Sequence, residues 1–222
     1  MIIQIHPFND SKGLDSIKPH TTKLILGSFP ATQVTNKDNP RLYFYYGSTD
    51  NKFWDIFNEV NNLTIYLSIE NILEYLDKND FGIIDIIRKC YRKDNTSSAD
   101  EDLAILELQD IIKILFDSKI DTIYTTSKFV SALLKKQLTP IIDKGTRKYT
   151  KINVGNYSYE EIQISANIFR YNRQLKLVTL FSPSDNGLRG LQKGLNIKKN
   201  NIAPMDFRLE QYRQLLTNQN AT

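Results

Sequence analysis

The 222-residue chain holds one cysteine, two histidines and one tryptophan. A single thiol, Cys90, excludes an internal disulfide and any metal or iron–sulfur centre built from several cysteines. His6 and His20 both lie near the start, with neither a cysteine nor another histidine close to either in sequence, so no zinc site is expected. Two histidines also leave little material for imidazole acid–base chemistry. No stretch approaches the ~20 apolar residues of a membrane span. The opening "MIIQIHPFNDSKG" lacks a basic region followed by a long apolar one, so no secretory leader is expected and the expected location is cytoplasmic. No glycine-rich phosphate loop follows any apolar run, which argues against a nucleotide-cofactor enzyme.

What is present is a mildly basic chain, with 29 basic against 25 acidic residues and a net charge of +4. That balance suits a polyanionic partner without demanding one. No linker, repeat or low-complexity tract divides the sequence, so 1–222 reads as one domain, long enough for a sizeable core.

Short apolar runs at 22–28 ("TKLILGS"), 81–87 ("FGIIDII"), 120–126 ("IDTIYTT") and 175–182 ("LKLVTLFS") read as four buried strands. Apolar residues at helical spacing predict helices over 50–60, 69–79, 103–119, 127–138 and 205–216, with a further one beginning at "LQKGLN". The segment 88–102 reads as a polar loop, and 147–165 as a hairpin turning at "GN". Strands alternating with helices predict an α/β fold, a three-layer α/β/α sandwich with a central, mainly parallel four-stranded sheet. In such sheets ligands bind beyond the carboxyl ends of the strands. Phe29, Asp85, Thr126 and Ser182 therefore belong near one edge.

One stretch, "YYGSTDNKFWDIF" (45–57), asks for an explanation. A core helix needs Phe53 and Trp54, but not an Asn at its mouth behind a tyrosine pair. Asp50 suits an N-cap, and Asn51 is either a second capping residue or a chemical group.

Four segments in order, "LILGSFPA", "YYGSTDNKFW", "GIIDIIRKCYRKDNTSSADEDL" and "LFSPSDNG", resemble the uracil-DNA glycosylase superfamily, and within it the hypoxanthine-DNA (deoxyinosine) glycosylase branch. The resemblance spans roughly 22–195. Ala31 stands where the branch commonly has Gly, and Ser184–Asp185 where it has a small residue before the Asn matched by Asn186. The resemblance implies an enzyme that flips a deaminated base out of DNA and hydrolyses its N-glycosidic bond, without metal or cofactor. No lysine occupies a motif position as a nucleophile, so a monofunctional enzyme is implied, acting on DNA and not on membranes, as a monomer.

The roles follow motif by motif. Asn51 would hold the attacking water, and Ser182 would donate to the base carbonyl. Phe29, Tyr45 and Tyr46 would stack on the flipped base, and Asp85 would accept a hydrogen bond from its N–H. Ser184 and Asn186 would hold phosphate, Leu188 would wedge into the vacated stack, and Arg189, Arg88 and Arg92 would contact the DNA backbone. Plain structural readings stand beside each of these: a cap for Asn51, core packing for the aromatics, an ordinary strand-to-helix turn for 182–189, a solvated face for the arginines. Two further readings of the whole chain stay open. One is a catalytically inactive module of the same fold that binds DNA or a modified base; the other is a hydrolase of small nucleosides.

Overall fold

Residues 24, 25 and 26 set the architecture. Leu24 and Leu26 point to one side of the strand and Ile25 to the other, and all three are buried. A strand apolar on both faces must lie inside a sheet covered on both sides. The computed structural model describes residues 3–64, 68–94, 97–142, 149–166, 171–185, 187 and 203–217. In it this strand, β2 (Lys23–Gly27), lies in parallel between β3 (Phe81–Asp85) and β6 (Thr122–Thr125). The fourth parallel strand, β9 (Tyr171–Thr179), pairs with β6.

Among the described residues the sheet has six strands, in the order β3-β2-β6-β9-β8-β7, and not the four expected. The hairpin β7 (Thr150–Val154) and β8 (Tyr157–Ala166) turns at Gly155, whose φ of 55° suits a residue without a side chain. It pairs antiparallel along β9 and continues the sheet there. That pairing satisfies what would otherwise be a free edge and buries Ile162 and Ile164.

Helices cover both faces. Ile25, Ile83, Tyr124 and Val178 pack with α2 (Phe53–Val60), α3 (Ile69–Lys78) and the C-terminal α6 (Pro204–Tyr212). Leu24, Leu26, Ile84, Ile123 and Leu177 pack with α4 (Ile111–Phe116) and α5 (Lys128–Leu138). The short α1 (Thr32–Thr35) follows β2. Among the described residues no helix is long and apolar enough to cross a membrane.

Two expectations fail together. The segment 103–119 is not one long helix, and 88–102 is not all loop. Leu103–Leu108 forms β5, which pairs antiparallel with β4 (Ile87–Arg92), and β1 (Ile3–Ile5) completes a second, three-stranded sheet on the other side of β4. "LAILEL" satisfies either period, so only the free edge of β4 decides it. The helix begins later, where the Asp110 carboxylate accepts from Lys113 N–H at 2.9 Å. The helix expected to begin at "LQKGLN" lies outside the described residues.

Arg92, expected at a DNA surface, is buried. Its Nε donates to Gln4 Oε1 at 3.2 Å, Nη1 to Ser97 O at 2.9 Å and Nη2 to Pro30 O at 2.8 Å. The guanidinium thus ties β1 and the loops after β2 and β4 together. Replacing it by Ala strands two carbonyls, so Arg92→Ala should lower unfolding free energy by about 3 kcal/mol in urea titration. Arg92→Lys should recover only part, because an ammonium lacks the planar fork. A DNA-contacting arginine would leave the urea midpoint unchanged.

Candidate functional site

Register brings the strand ends together. Gly27 pairs with Asp85, and β6 and β9 end beside them at Thr125 and Thr179. The Asp85 side of this edge is held by a segment that no periodicity points to. β3 is an edge strand, and two side chains stand in for its missing neighbour. Asn9 Nδ2 donates to Asp85 O at 2.7 Å while Asn9 Oδ1 accepts from Asp85 N–H at 3.2 Å. Two residues back, Ser16 Oγ accepts from Ile83 N–H at 2.9 Å and shares its one hydrogen between Gly13 O at 2.6 Å and Ile83 O at 3.1 Å. Alternate residues of an edge strand present both polar groups outward, and these two side chains pair them.

The Asp85 carboxylate is buried, and its Oδ2 lies 2.9 Å from His6 Nε2. His6 Nδ1 accepts from the backbone N–H groups of Phe8 and Asn9 at 3.1 and 3.0 Å. An imidazole nitrogen that accepts carries no proton, so the proton sits on Nε2 and is donated to Asp85. Oδ1 makes no hydrogen bond among the described residues. It stands over Gly27, beside the Tyr46 hydroxyl; a Cβ on Gly27 would collide with both. His6 is a site component that sequence reading missed. The only signal available was its rarity, because its partner lies 79 residues away.

The tyrosine pair divides. Tyr45 is a core residue: its ring stacks on His6 at 5.3 Å, its hydroxyl donates to Asn9 Oδ1 at 2.8 Å, and its carbonyl accepts from Trp54 Nε1 at 2.9 Å. Tyr46 has φ 55°, a left-handed conformation that costs a bulky residue roughly 1–3 kcal/mol. That reversal turns it to the strand ends, where its ring stacks on Phe53 at 4.3 Å and its hydroxyl reaches Thr126 Oγ1 at 3.5 Å. Burial, and then the Asp85 charge, hold the hydroxyl well above the usual phenol range. Phe29 is buried, edge-on to His6 at 5.4 Å and with the Arg92 guanidinium over its ring at 5.7 Å.

Asn51 answers the question of its position in two ways. Its Oδ1 accepts from Phe53 N–H at 2.9 Å, which satisfies the first amide of α2 from one residue before the N-cap Lys52; Lys52 itself makes no side-chain cap, and none comes from Asp50 among the described residues. Its backbone forms an antiparallel bridge with Ser184, and Lys52 N–H donates to Pro183 O at 3.0 Å. The mouth of α2 and the loop after β9 are therefore laced together. Asn51 Nδ2 makes no hydrogen bond among the described residues. Ser182 and Ser184 hydroxyls lie 3.0 Å apart, and Ser184 Oγ accepts from Gly187 N–H at 3.1 Å.

The structure thus gathers Asp85, Tyr46, Asn51, Ser182 and Ser184 near one edge, with Phe29 just beneath it. It places Tyr45 and Arg92 in the interior. Arg88 is exposed and occupied: it pairs with Asp10 at 3.0 Å and Glu107 at 2.7 Å. Asn186, Leu188 and Arg189 lie outside the described residues. A second carboxyl, unforeseen, joins the edge. Asp100 approaches the Ser28 hydroxyl and, at 3.5 Å, the Ser127 hydroxyl that caps α5. Burial raises its pKa, and the neighbouring Asp85 and Glu101 charges push the same way. Among the described residues, no group of three or more His, Cys, Asp or Glu side chains has the makings of a metal site.

No family model and no curated protein matches the chain. Among solved structures it is similar to the solution NMR structure of a "putative Uracil DNA glycosylase" from Methanosarcina acetivorans, at 23% identity and a TM-score of 0.44, over 55% of this chain and 73% of that one.

Asp100 gives the edge a measurable pH signature. Its folded pKa is raised above the ordinary 3.8, so the folded state binds this proton more tightly than the unfolded chain. The penalty is absent below about pH 4 and grows as pH rises through the raised value. Asp100→Asn should therefore raise the melting temperature at pH 7–8, and the gain should vanish near pH 3.5. A gain independent of pH would show that the charge is not its cause, and a loss at pH 7 would show that the carboxylate is stabilising.

Proposed function

We propose that the chain is a monofunctional DNA glycosylase that removes a deaminated base, uracil or hypoxanthine, by hydrolysing its N-glycosidic bond without metal or cofactor. The observation that carries this reading is convergence. The four segments whose residues resemble the glycosylase motifs are far apart in sequence, yet they meet near one edge of the sheet, with a carboxylate oxygen and an amide nitrogen among them that make no hydrogen bond among the described residues.

Each group has a task that fits its surroundings. Asp85 Oδ1, held by His6 and Asn9, accepts from the ring N–H beside a carbonyl that uracil and hypoxanthine share. Tyr46, backed by Phe53, offers its ring to the flipped base. Asn51 retains two amide hydrogens and one oxygen lone pair after capping α2, enough to orient a water at the sugar carbon. As the bond to the base breaks, the sugar takes on cationic character and the base leaves as an anion. Ser182 and Ser184 supply donors to that anion or to the adjacent phosphate. Phosphate contacts make such binding fall steeply with salt.

The inactive-module reading draws on one specific observation, that Asn51 Oδ1 is already engaged as a cap. Asn51→Ser separates the two roles, because serine also caps but cannot place a water at the same point. Asn51→Ser should melt within a degree or two of wild type, and should slow single-turnover base release by on the order of a hundredfold. Release at the wild-type rate would reduce Asn51 to a cap. A wild type that binds DNA but releases neither base would establish the binding module, and turnover of free nucleosides would establish a nucleoside hydrolase.

A further inference from the structure

The inner face of α6 is polar where a covering helix needs only to be apolar. Arg208, Gln211 and Tyr212, spaced i, i+3 and i+4, share that face and are all buried. All three reach the stretch 179–184. Gln211 Oε1 accepts from Phe181 N–H at 2.6 Å and its Nε2 donates to Thr179 O at 3.2 Å. The Tyr212 hydroxyl donates to Phe181 O at 2.9 Å. Arg208 Nη1 donates to Pro183 O at 3.2 Å and Nη2 to Ser184 O at 3.0 Å.

Arg208 is the costly member. It is 0% exposed, forms no ion pair among the described residues, and leaves Nε without a partner. The Asp185 charge acts on it only from beyond ion-pair distance, and a buried cation so weakly compensated is a poor way to stabilise a fold; an apolar side chain of similar volume commonly does better. Its two bonds fall on the residues that lace the loop to α2. Pro183 O is the acceptor shared with Lys52 N–H, and Ser184 is the residue bridged to Asn51.

We infer that Arg208 is a positioning residue: by gripping the Pro183 and Ser184 carbonyls from behind, it fixes the bridge to Asn51 and so the place of the Asn51 amide. The inference rests on the proposed base removal. A guanidinium suits the task because its planar fork holds two carbonyls in fixed relation, whereas an ammonium holds one point.

Arg208→Lys, Arg208→Met and, as the mildest change on the same helix face, Tyr212→Phe test this alongside Asn51→Ser. Single-turnover base release from uracil- and hypoxanthine-containing DNA should fall at least tenfold in Arg208→Met, less in Arg208→Lys and least in Tyr212→Phe. DNA affinity should stay within about threefold of wild type. Each change combined with Asn51→Ser should cost almost nothing more than Asn51→Ser alone, because both act through one amide. The Asn51 side-chain amide resonances, assigned by their loss in Asn51→Ser, should shift in the variants without DNA. Losses that multiply in the double variants, or unshifted resonances, overturn the inference while leaving the glycosylase reading standing. A wild type that releases no base overturns that reading, and the inference with it.

Discussion

A carboxylate that ends a buried edge strand must find donors or be expelled, and Asp85 finds them in residues 6–9. Asn9 replaces the missing strand neighbour, His6 fixes one carboxylate oxygen, and two backbone N–H groups fix His6 in the tautomer that can do so. Tyr45 then stacks on His6 and bonds Asn9, and Trp54 holds the Tyr45 carbonyl. Each group in this chain is satisfied by the next. Buried polar networks of this kind are specific because a half-satisfied one costs more than an apolar core. The result leaves one acceptor atom, Asp85 Oδ1, standing at the strand ends with its position set from behind.

The opposite flank of the edge is held by a different device with the same logic. Among the described residues the loop after β9 has no strand partner, only the isolated bridge from Ser184 to Asn51. Its carbonyls and N–H groups are taken up by α6 on one side and by the mouth of α2 on the other. Tyr46 lies between the two flanks, in a strained backbone conformation and packed on the first aromatic of α2. Strain of this size persists only where neighbours over-determine it. Supports on both flanks hold the side chains of this edge in fixed relation to one another.

Much of the frame was legible from residues alone. The strands around Leu24, Ile83, Ile123 and Leu177 have apolar faces and sharp ends, and α3 and α5 carry serine caps at Ser68 and Ser127. Those signals are local, so a sequence holds them without reference to the rest of the chain. Leu103–Leu108 misled because its pattern fits two periods and its state depends on whether β4 has a free edge. Arg92 misled because basic residues near a strand end look the same whether they face solvent or staple three segments.

By itself, then, the sequence determined the alternation of strands and helices and the parallel core. It also placed Asp85 and Ser182 near strand ends and Asn51 at the mouth of a helix, through apolar periodicity and turn residues that act within a few residues. Only the tertiary structure decided that Tyr45 turns into the core and Tyr46 to the strand ends, that His6 serves Asp85, that Asp100 joins the edge, and that Arg208 grips the loop beside Asn51. Those outcomes depend on hydrogen bonds between residues tens of positions apart, whose value is fixed by burial, and burial exists only once the chain has packed.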